Sequence, residues 1–225
     1  MKKTLIAMAA VALLALSAFT AKADDPVADW ANFNRYKGGN EAINFRPKAV
    51  LMGDSIFDGW ARQDTTFFVA NNFVGRGISG QTTAKMLVRF RCDVIAHHPK
   101  YVVIMAGTND IAQNDGWNDI DHTLGNIISM CELAKANKIK VVLCTVTPAD
   151  KVRWRPSVEN VHGKMVLLNE KIKAYAAENH IPVADFAAAL ADEKGVTAEK
   201  YSGDSVHPNL DGYKVMGGVL LKYIR

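Results

Sequence analysis

Apolar runs of strand length at Ala49–Met52, Tyr101–Ala106, Val141–Val146 and Pro182–Phe186 are separated by stretches whose apolar residues recur at helical spacing. Ile120, Leu124, Ile127, Ile128 and Cys131 make one such stripe, and Val161, Met165, Leu168, Ile172 and Tyr175 make another. The strand runs are continuous in Val, Ile and Leu instead of alternating with polar residues, the pattern of strands covered on both faces. Parallel neighbours can be joined only by crossovers, which the helical stretches supply. The chain is therefore expected to fold as a three-layer α/β/α sandwich around a parallel sheet of about five strands, the remaining strand being a weaker run near Phe67–Val74. No internal repeat, low-complexity tract or Pro/Ser-rich linker divides it.

The first residues carry Lys2 and Lys3, an apolar stretch from about Leu5 to Phe19, and a small-x-small sequence at Ala21-Lys22-Ala23. This is the composition of a secretory signal peptide over residues 1–23, too short in its apolar part for a membrane span. No Cys follows the expected cleavage point, which argues against a lipoprotein. Residues 24–48 read as an N-terminal arm, with a turn at Gly38-Gly39-Asn40 and Pro47 just before the first strand; residues 49–225 form the main domain. Removing Lys2, Lys3 and Lys22 with the leader lowers the formal charge from +4 to +1. A nearly neutral mature chain has neither the basic stripe of a nucleic-acid binder nor a polybasic membrane footprint. The expected location is the periplasm or the exterior, without stable membrane insertion once the leader is gone.

Cys92, Cys131 and Cys144 lack CxxC spacing and sit in apolar or mixed surroundings, so they are expected to be small buried hydrophobes in preference to a Cys131–Cys144 bridge. His97, His98, His122, His162 and His180 form no H-x-x-x-H pair and no His/Asp cluster. A metal site is not expected.

Four short blocks carry residues suited to acyl transfer, which needs a nucleophile, a base, an orienter and oxyanion donors. Gly53-Asp54-Ser55 follows a strand directly, so the Ser55 hydroxyl stands at the sheet's carboxyl edge and its amide opens the next helix. In Gly75-Arg76-Gly77-Ile78-Ser79-Gly80-Gln81-Thr82-Thr83, glycines precede a helix start; Gly80 is the candidate amide donor and Gly77 serves the turn. Gly107-Thr108-Asn109-Asp110 follows the Tyr101–Ala106 strand and places a side-chain amide, that of Asn109, at the same edge. Asp204-Ser205-Val206-His207-Pro208 supplies a base, His207, with a carboxylate three residues earlier, and Pro208 is expected in the first turn of a last helix running toward Tyr223. Gly203-Asp204-Ser205 repeats the first block's letters without a preceding strand, so Ser205 is taken as incidental. The sequence lacks the Gly-Lys-Ser/Thr ending of a phosphate loop and the G-x-S-x-G of an α/β-hydrolase.

With these blocks in this order the chain resembles the SGNH hydrolases, or GDSL-type esterases and lipases, over roughly residues 49–225. The resemblance implies a flavodoxin-like fold and no metal or other cofactor. It also implies Ser55 as nucleophile, His207 as general base with Asp204 as its partner, and an oxyanion hole made by the amides of Ser55 and Gly80 and the Asn109 side chain. The sequence departs from the usual pattern in Ile56, where Leu is typical, and in Arg76 and Gln81, where Asn and Asp are frequent.

The expected partner is a small-molecule or glycan ester. Trp60, shortly after Ser55, and Arg153-Trp154-Arg155, beyond the Val141–Val146 strand, are candidates for the mouth of the site. An aromatic platform with arginines suits a sugar or an anionic substrate. Short acyl groups, acetyl above all, on a carbohydrate are the first expectation. A lysophospholipid or short-chain lipid ester is the alternative within the same chemistry, and an inactive envelope binding protein of the same fold is the alternative outside it.

Overall fold

The computed structural model describes residues 29–225. Ala31–Arg225 forms one compact unit. The expected signal peptide lies outside the described residues. Among the described residues no helix is long and apolar enough to cross a membrane.

In chain order the elements are a 3-10 turn at Phe33–Arg35, α1 (Lys37–Glu41), β1 (Ala49–Gly53), α2 (Ser55–Gln63), α3 (Thr65–Ala70), β2 (Phe73–Gly77), α4 (Thr83–Asp93), β3 (Tyr101–Met105), α5 (Thr108–Ile111), α6 (Ile120–Ala136), β4 (Lys140–Cys144), α7 (Val161–Glu178), β5 (Val183–Ala184), α8 (Phe186–Leu190) and α9 (Leu210–Leu220). The strands form one five-stranded sheet in the order β2-β1-β3-β4-β5. Every pairing is parallel; Ala49 of β1 sits opposite Phe73 on one side and Tyr101 on the other. The strand order reverses direction between β1 and β3, and a crevice opens at the carboxyl ends of strands on either side of such a switch point.

Successive strand residues point to opposite faces, which divides the core in two. Val50, Met52, Val102, Ile104 and Leu143 face α4, α6 and α7 through Phe90, Met130, Met165 and Leu168. Leu51, Val103, Met105 and Val142 face α2, α3, α8 and α9 through Phe57, Trp60, Phe186 and Tyr213. Each large apolar side chain sealed in these layers contributes roughly 1.5–3 kcal/mol of burial. Cys131 belongs to the first layer and Cys144 to the second, so the sheet stands between them, and both are free thiols. Burial pushes the Cys131 thiol up to about 12, with the Glu132 charge adding to the effect.

Two local expectations need correction. The Phe67–Val74 run is not one strand: Asp64 accepts from the Phe67 amide at 3.2 Å and caps α3. The chain then turns through Asn72 in the left-handed region before β2 begins at Phe73. The cap and the turn override the apolar continuity, and Phe67 packs on Trp60. Gly38, Gly39 and Asn40 are likewise not a turn but the middle of α1.

The stretch from Ala31 to Lys48 is fastened to the sheet by a buried polar network. Arg89, fully buried, donates to Asp93 at 2.9 Å, to Gln81 Oε1 at 2.6 Å and to the Gly53 carbonyl at 3.2 Å. Asn40 from α1 donates to Asp93 at 2.7 Å and accepts from Arg76 at 2.9 Å. Gln81 Nε2 donates to the Ala31 carbonyl at 2.8 Å, and the Tyr36 hydroxyl donates to the Gly77 carbonyl. Arg76 and Gln81, the departures in the second block, are therefore the residues that hold the arm.

Candidate active site

The four blocks converge at the carboxyl edge of the sheet, beside the switch point. Asp54, not Ser55, is the N-cap of α2: its carboxylate accepts from the Ile56 amide at 2.9 Å. Ser55 is thus the first helical residue, with an amide that has no partner within its own helix. Gly77 lets β2 pass close to this turn, because a Cβ there would lie 2.2 Å from the Asp58 amide nitrogen and 2.6 Å from the Asp54 carbonyl oxygen.

The Ser55 hydroxyl lies 2.9 Å from His207 Nε2, and His207 Nδ1 lies 2.7 Å from Asp204 Oδ2. A carboxylate only accepts, so Nδ1 carries the proton and Nε2 of the neutral ring is left as the acceptor for Ser55. Asp204 Oδ1 accepts from the amides of Val206 at 2.9 Å and His207 at 2.8 Å and from the Ser202 hydroxyl at 3.0 Å. Partial burial works to raise the Asp204 carboxyl, but hydrogen bonds from the His207 ring and amide and from the Val206 amide win and hold it well below the usual carboxylate range. Thr147 donates to the Val206 carbonyl at 3.2 Å and ties this loop to the continuation of β4. The cap of α9 is Asn209, whose side chain accepts from Gly212 at 3.0 Å. Pro208 therefore precedes the helix instead of entering its first turn. Ser205 points elsewhere and donates to Asp150 at 3.0 Å.

Gly80 adopts φ +78°, a conformation that favours glycine, and is exposed at the crevice. Among the described residues no acceptor takes the amide of Gly80 or of Ser55. Asn109 is buried; its Nδ2 donates to the Gln81 carbonyl at 3.1 Å, which leaves a second proton on the same nitrogen, and its Oδ1 accepts from Asn114 at 2.8 Å. Asp110 pins the third block to the start of α4, accepting from the Thr83 amide at 2.9 Å and its hydroxyl at 2.6 Å. Burial raises the Asp110 carboxyl against these bonds.

The residues named for the mouth separate. Trp60 is not at the site: it is fully buried, stacked on Tyr213 at 5.6 Å and on Phe67 at 5.0 Å, because α2 turns that face into the second core layer. Trp154, 40% exposed, does reach it, with its ring 6.1 Å from the His207 ring. Arg155 donates to the Asn114 carbonyl at 3.4 Å, and Arg153 is exposed on the same loop. Asn114 and Thr147 were not singled out in the sequence; Asn114 lies only five residues past Asn109, the one signal that would have drawn attention to it. A cavity of about 700 Å³ lies at the opposite, amino edge of the sheet, lined by Tyr101, Lys140 and Pro182 among others, and contains none of the block residues. Among the described residues no group of three or more His, Cys, Asp or Glu side chains is placed to hold a metal ion.

A nucleophilic hydroxyl, an oriented base and free donors at one switch point form a constellation suited to acyl transfer. Residues 51–215 match the GDSL-like Lipase/Acylhydrolase family. The structure is similar to that of a GDSL-like lipase from Bacteroides thetaiotaomicron VPI-5482, with 44% sequence identity and a TM-score of 0.83 over 86% of this chain and 97% of that one. It also shares its fold with an acetylxylan esterase from Geobacillus stearothermophilus, at 21% identity and a TM-score of 0.66 over 79% of this chain and 94% of that one. Among curated proteins it is 27% identical over 181 residues to N-acylneuraminate cytidylyltransferase from Escherichia coli O18:K1:H7, a match covering 78% of this chain. The chain spans 40% and 33% of the lengths of the two curated relatives it matches. The chain belongs to the GDSL-like lipase/acylhydrolase family.

Proposed function

We propose that the chain is an exported serine esterase that removes short acyl groups, acetyl first among them, from carbohydrates by way of an acyl-enzyme. Ser55 attacks the ester carbonyl while His207 Nε2 takes the hydroxyl proton. Asp204, ionised, keeps the ring in the required tautomer and stabilises its charged form. The oxyanion that develops on the carbonyl oxygen is met by the amides of Ser55 and Gly80 and by the free proton of Asn109 Nδ2. His207 then protonates the leaving alcohol. Water enters, gives its proton to His207 and attacks the acyl carbon; His207 then returns that proton to Ser55 Oγ as the acyl–oxygen bond breaks and the carboxylic acid is released. The observation that carries this reading is the continuous line from Ser55 through His207 to Asp204, at 2.9 and 2.7 Å.

The alcohol side of the substrate lies beside the base that protonates it, and that is where Trp154 stands. An exposed indole face packs well on the C–H face of a sugar ring. Arg153 and Arg155 on the same loop favour a sugar that carries a carboxylate. Two relatives are named for sugar chemistry, one an acetylxylan esterase and the other an enzyme of N-acylneuraminate.

The test is a panel of acetylated neutral and acidic glycans, lysophospholipids and p-nitrophenyl esters of increasing chain length, with fluorophosphonate labelling of the wild type and of Ser55→Ala. Acetate release from a glycan and falling rates beyond four acyl carbons are expected. Preference for long acyl chains would move the substrate to lipid esters. Absence of both Ser55-dependent labelling and p-nitrophenyl acetate turnover would leave a binding protein on the same fold.

A further inference from the structure

Trp154 Nε1 donates to Asn114 Oδ1 at 2.9 Å. An indole N–H can only donate, so this bond decides which end of the Asn114 amide faces Trp154. Asn114 Nδ2 is thereby turned the other way, where it donates to Asn109 Oδ1 at 2.8 Å and to the Gly80 carbonyl at 3.1 Å. The same logic holds one step further along. Asn109 Nδ2 faces the Gln81 carbonyl at 3.1 Å, a group that can only accept, while Asn109 Oδ1 is occupied by Asn114. Two amides in series are held by end groups whose hydrogen-bonding sense cannot reverse.

The geometry points to Asn114 as a positioning residue that, together with Trp154, sets the orientation of the Asn109 amide in the oxyanion hole. This inference rests on the role proposed above for Asn109. A reversed Asn109 would turn its carbonyl oxygen toward the developing negative charge and exchange a stabilising donor for a repulsive acceptor. Asn114 also holds Gly80, so both donors that lie outside the Ser55 turn are tied to one side chain. Through Trp154 that side chain reaches the face where the alcohol portion packs. An occupant stacked on the indole steadies the bond that orients the hole, which links recognition of the alcohol to the rate of the chemical step.

Asn114→Asp keeps an acceptor for Trp154 but offers no proton to Asn109 or to Gly80. Its kcat should fall about 100-fold, the range expected for loss of an oxyanion donor, with KM changed by less than about threefold. The pH profile of kcat should keep its wild-type shape, because the Ser55–His207–Asp204 line is untouched. Trp154→Phe keeps the aromatic face and removes the donor; its kcat should fall about tenfold, and combining it with Asn114→Ala should cost less than the product of the two separate losses. Asn114 and Trp154 lie at the surface, so thermal melts of all variants should stay near that of the wild type.

Unchanged kcat in Asn114→Asp and Trp154→Phe, or losses confined to KM, would overturn the inference. Wild-type turnover with the Ser55→Ala control decides separately whether the esterase reading stands. Were the wild type inactive, the relay would be read by NMR from the Asn109 side-chain NH₂ resonances, identified by their loss in Asn109→Asp. Displacement of those resonances in both Trp154→Phe and Asn114→Ala is the expected result, and their persistence in place would refute the relay whatever the protein's activity.

Discussion

Asp54→Asn removes a buried charge beside Ser55 and keeps an oxygen to accept from the Ile56 amide, so the cap of α2 survives. The Asp54 carboxyl is pushed up to about 6 from an ordinary value of 3.8. Burial is the main cause, the side chain being shut away from water, and the Asp110 charge adds to it; the Ile56 amide and the charge on His207 pull the other way without prevailing. A carboxyl whose pKa is raised on folding binds its proton more tightly in the native state. Stability therefore falls as pH climbs from about 4 to about 6, and the cost is complete above that. At 1.36 kcal/mol per unit the cost reaches about 3 kcal/mol at neutral pH. Asn carries no such charge, so the stability of Asp54→Asn relative to the wild type should grow by about 2 kcal/mol between pH 4 and pH 7, or roughly 4–8 °C in Tm for a domain of this size. Urea unfolding of both proteins at pH 4, 5, 6 and 7 measures the difference directly, and titrating groups that do not interact with Asp54 cancel in it. A difference that stays flat across this range would refute the reasoning. Ester turnover should move in the opposite sense, because the Asp54 carboxylate attracts the charged His207 that forms during acyl transfer; a more stable, slower enzyme is the expected variant.

Asn109→Ala should lower kcat on p-nitrophenyl acetate by about 10²–10³ with little change in KM, the result of removing one donor from the oxyanion hole. Arg89→Met leaves the Asp93 carboxylate, Gln81 Oε1 and the Gly53 carbonyl without their shared partner, and chemical denaturation should show a loss of about 3–5 kcal/mol. Trp60→Ala opens a cavity under α2 and should cost about 3–5 kcal/mol in the same assay, while the KM of the folded fraction for a glycan ester stays near that of the wild type.

Much of the architecture was legible in the chain because burial on both faces leaves a periodic trace. β1, β3 and β4 were bracketed by their apolar runs, and α6 and α7 by stripes at helical spacing. The runs were blind to capping. Asp64, ahead of the apolar stretch, and Asn72, within it, convert the Phe67–Val74 run into a helix, a turn and the start of β2. Asn209 takes the cap that Pro208 was expected to follow. Trp60 shows a further limit: nearness to Ser55 in the chain says nothing about direction, and a residue five positions along a helix is carried around to another face.

The sequence by itself determined the parallel sheet and which segments end at its carboxyl edge, since Ser55, Gly80, Asn109 and the Asp204–His207 pair each follow a strand or flank a helix start. The tertiary structure alone decided how those groups are aimed. Ser55 and His207 meet across 152 positions of chain at 2.9 Å, and Asn109 takes its direction from Asn114 and, through it, from Trp154. Arg76 and Gln81, departures with no evident role in the sequence, became the anchors of the Ala31–Lys48 stretch. Periodicity reports which side of an element is buried; the sense of a hydrogen bond depends on partners from distant segments, and those are brought together only by the fold.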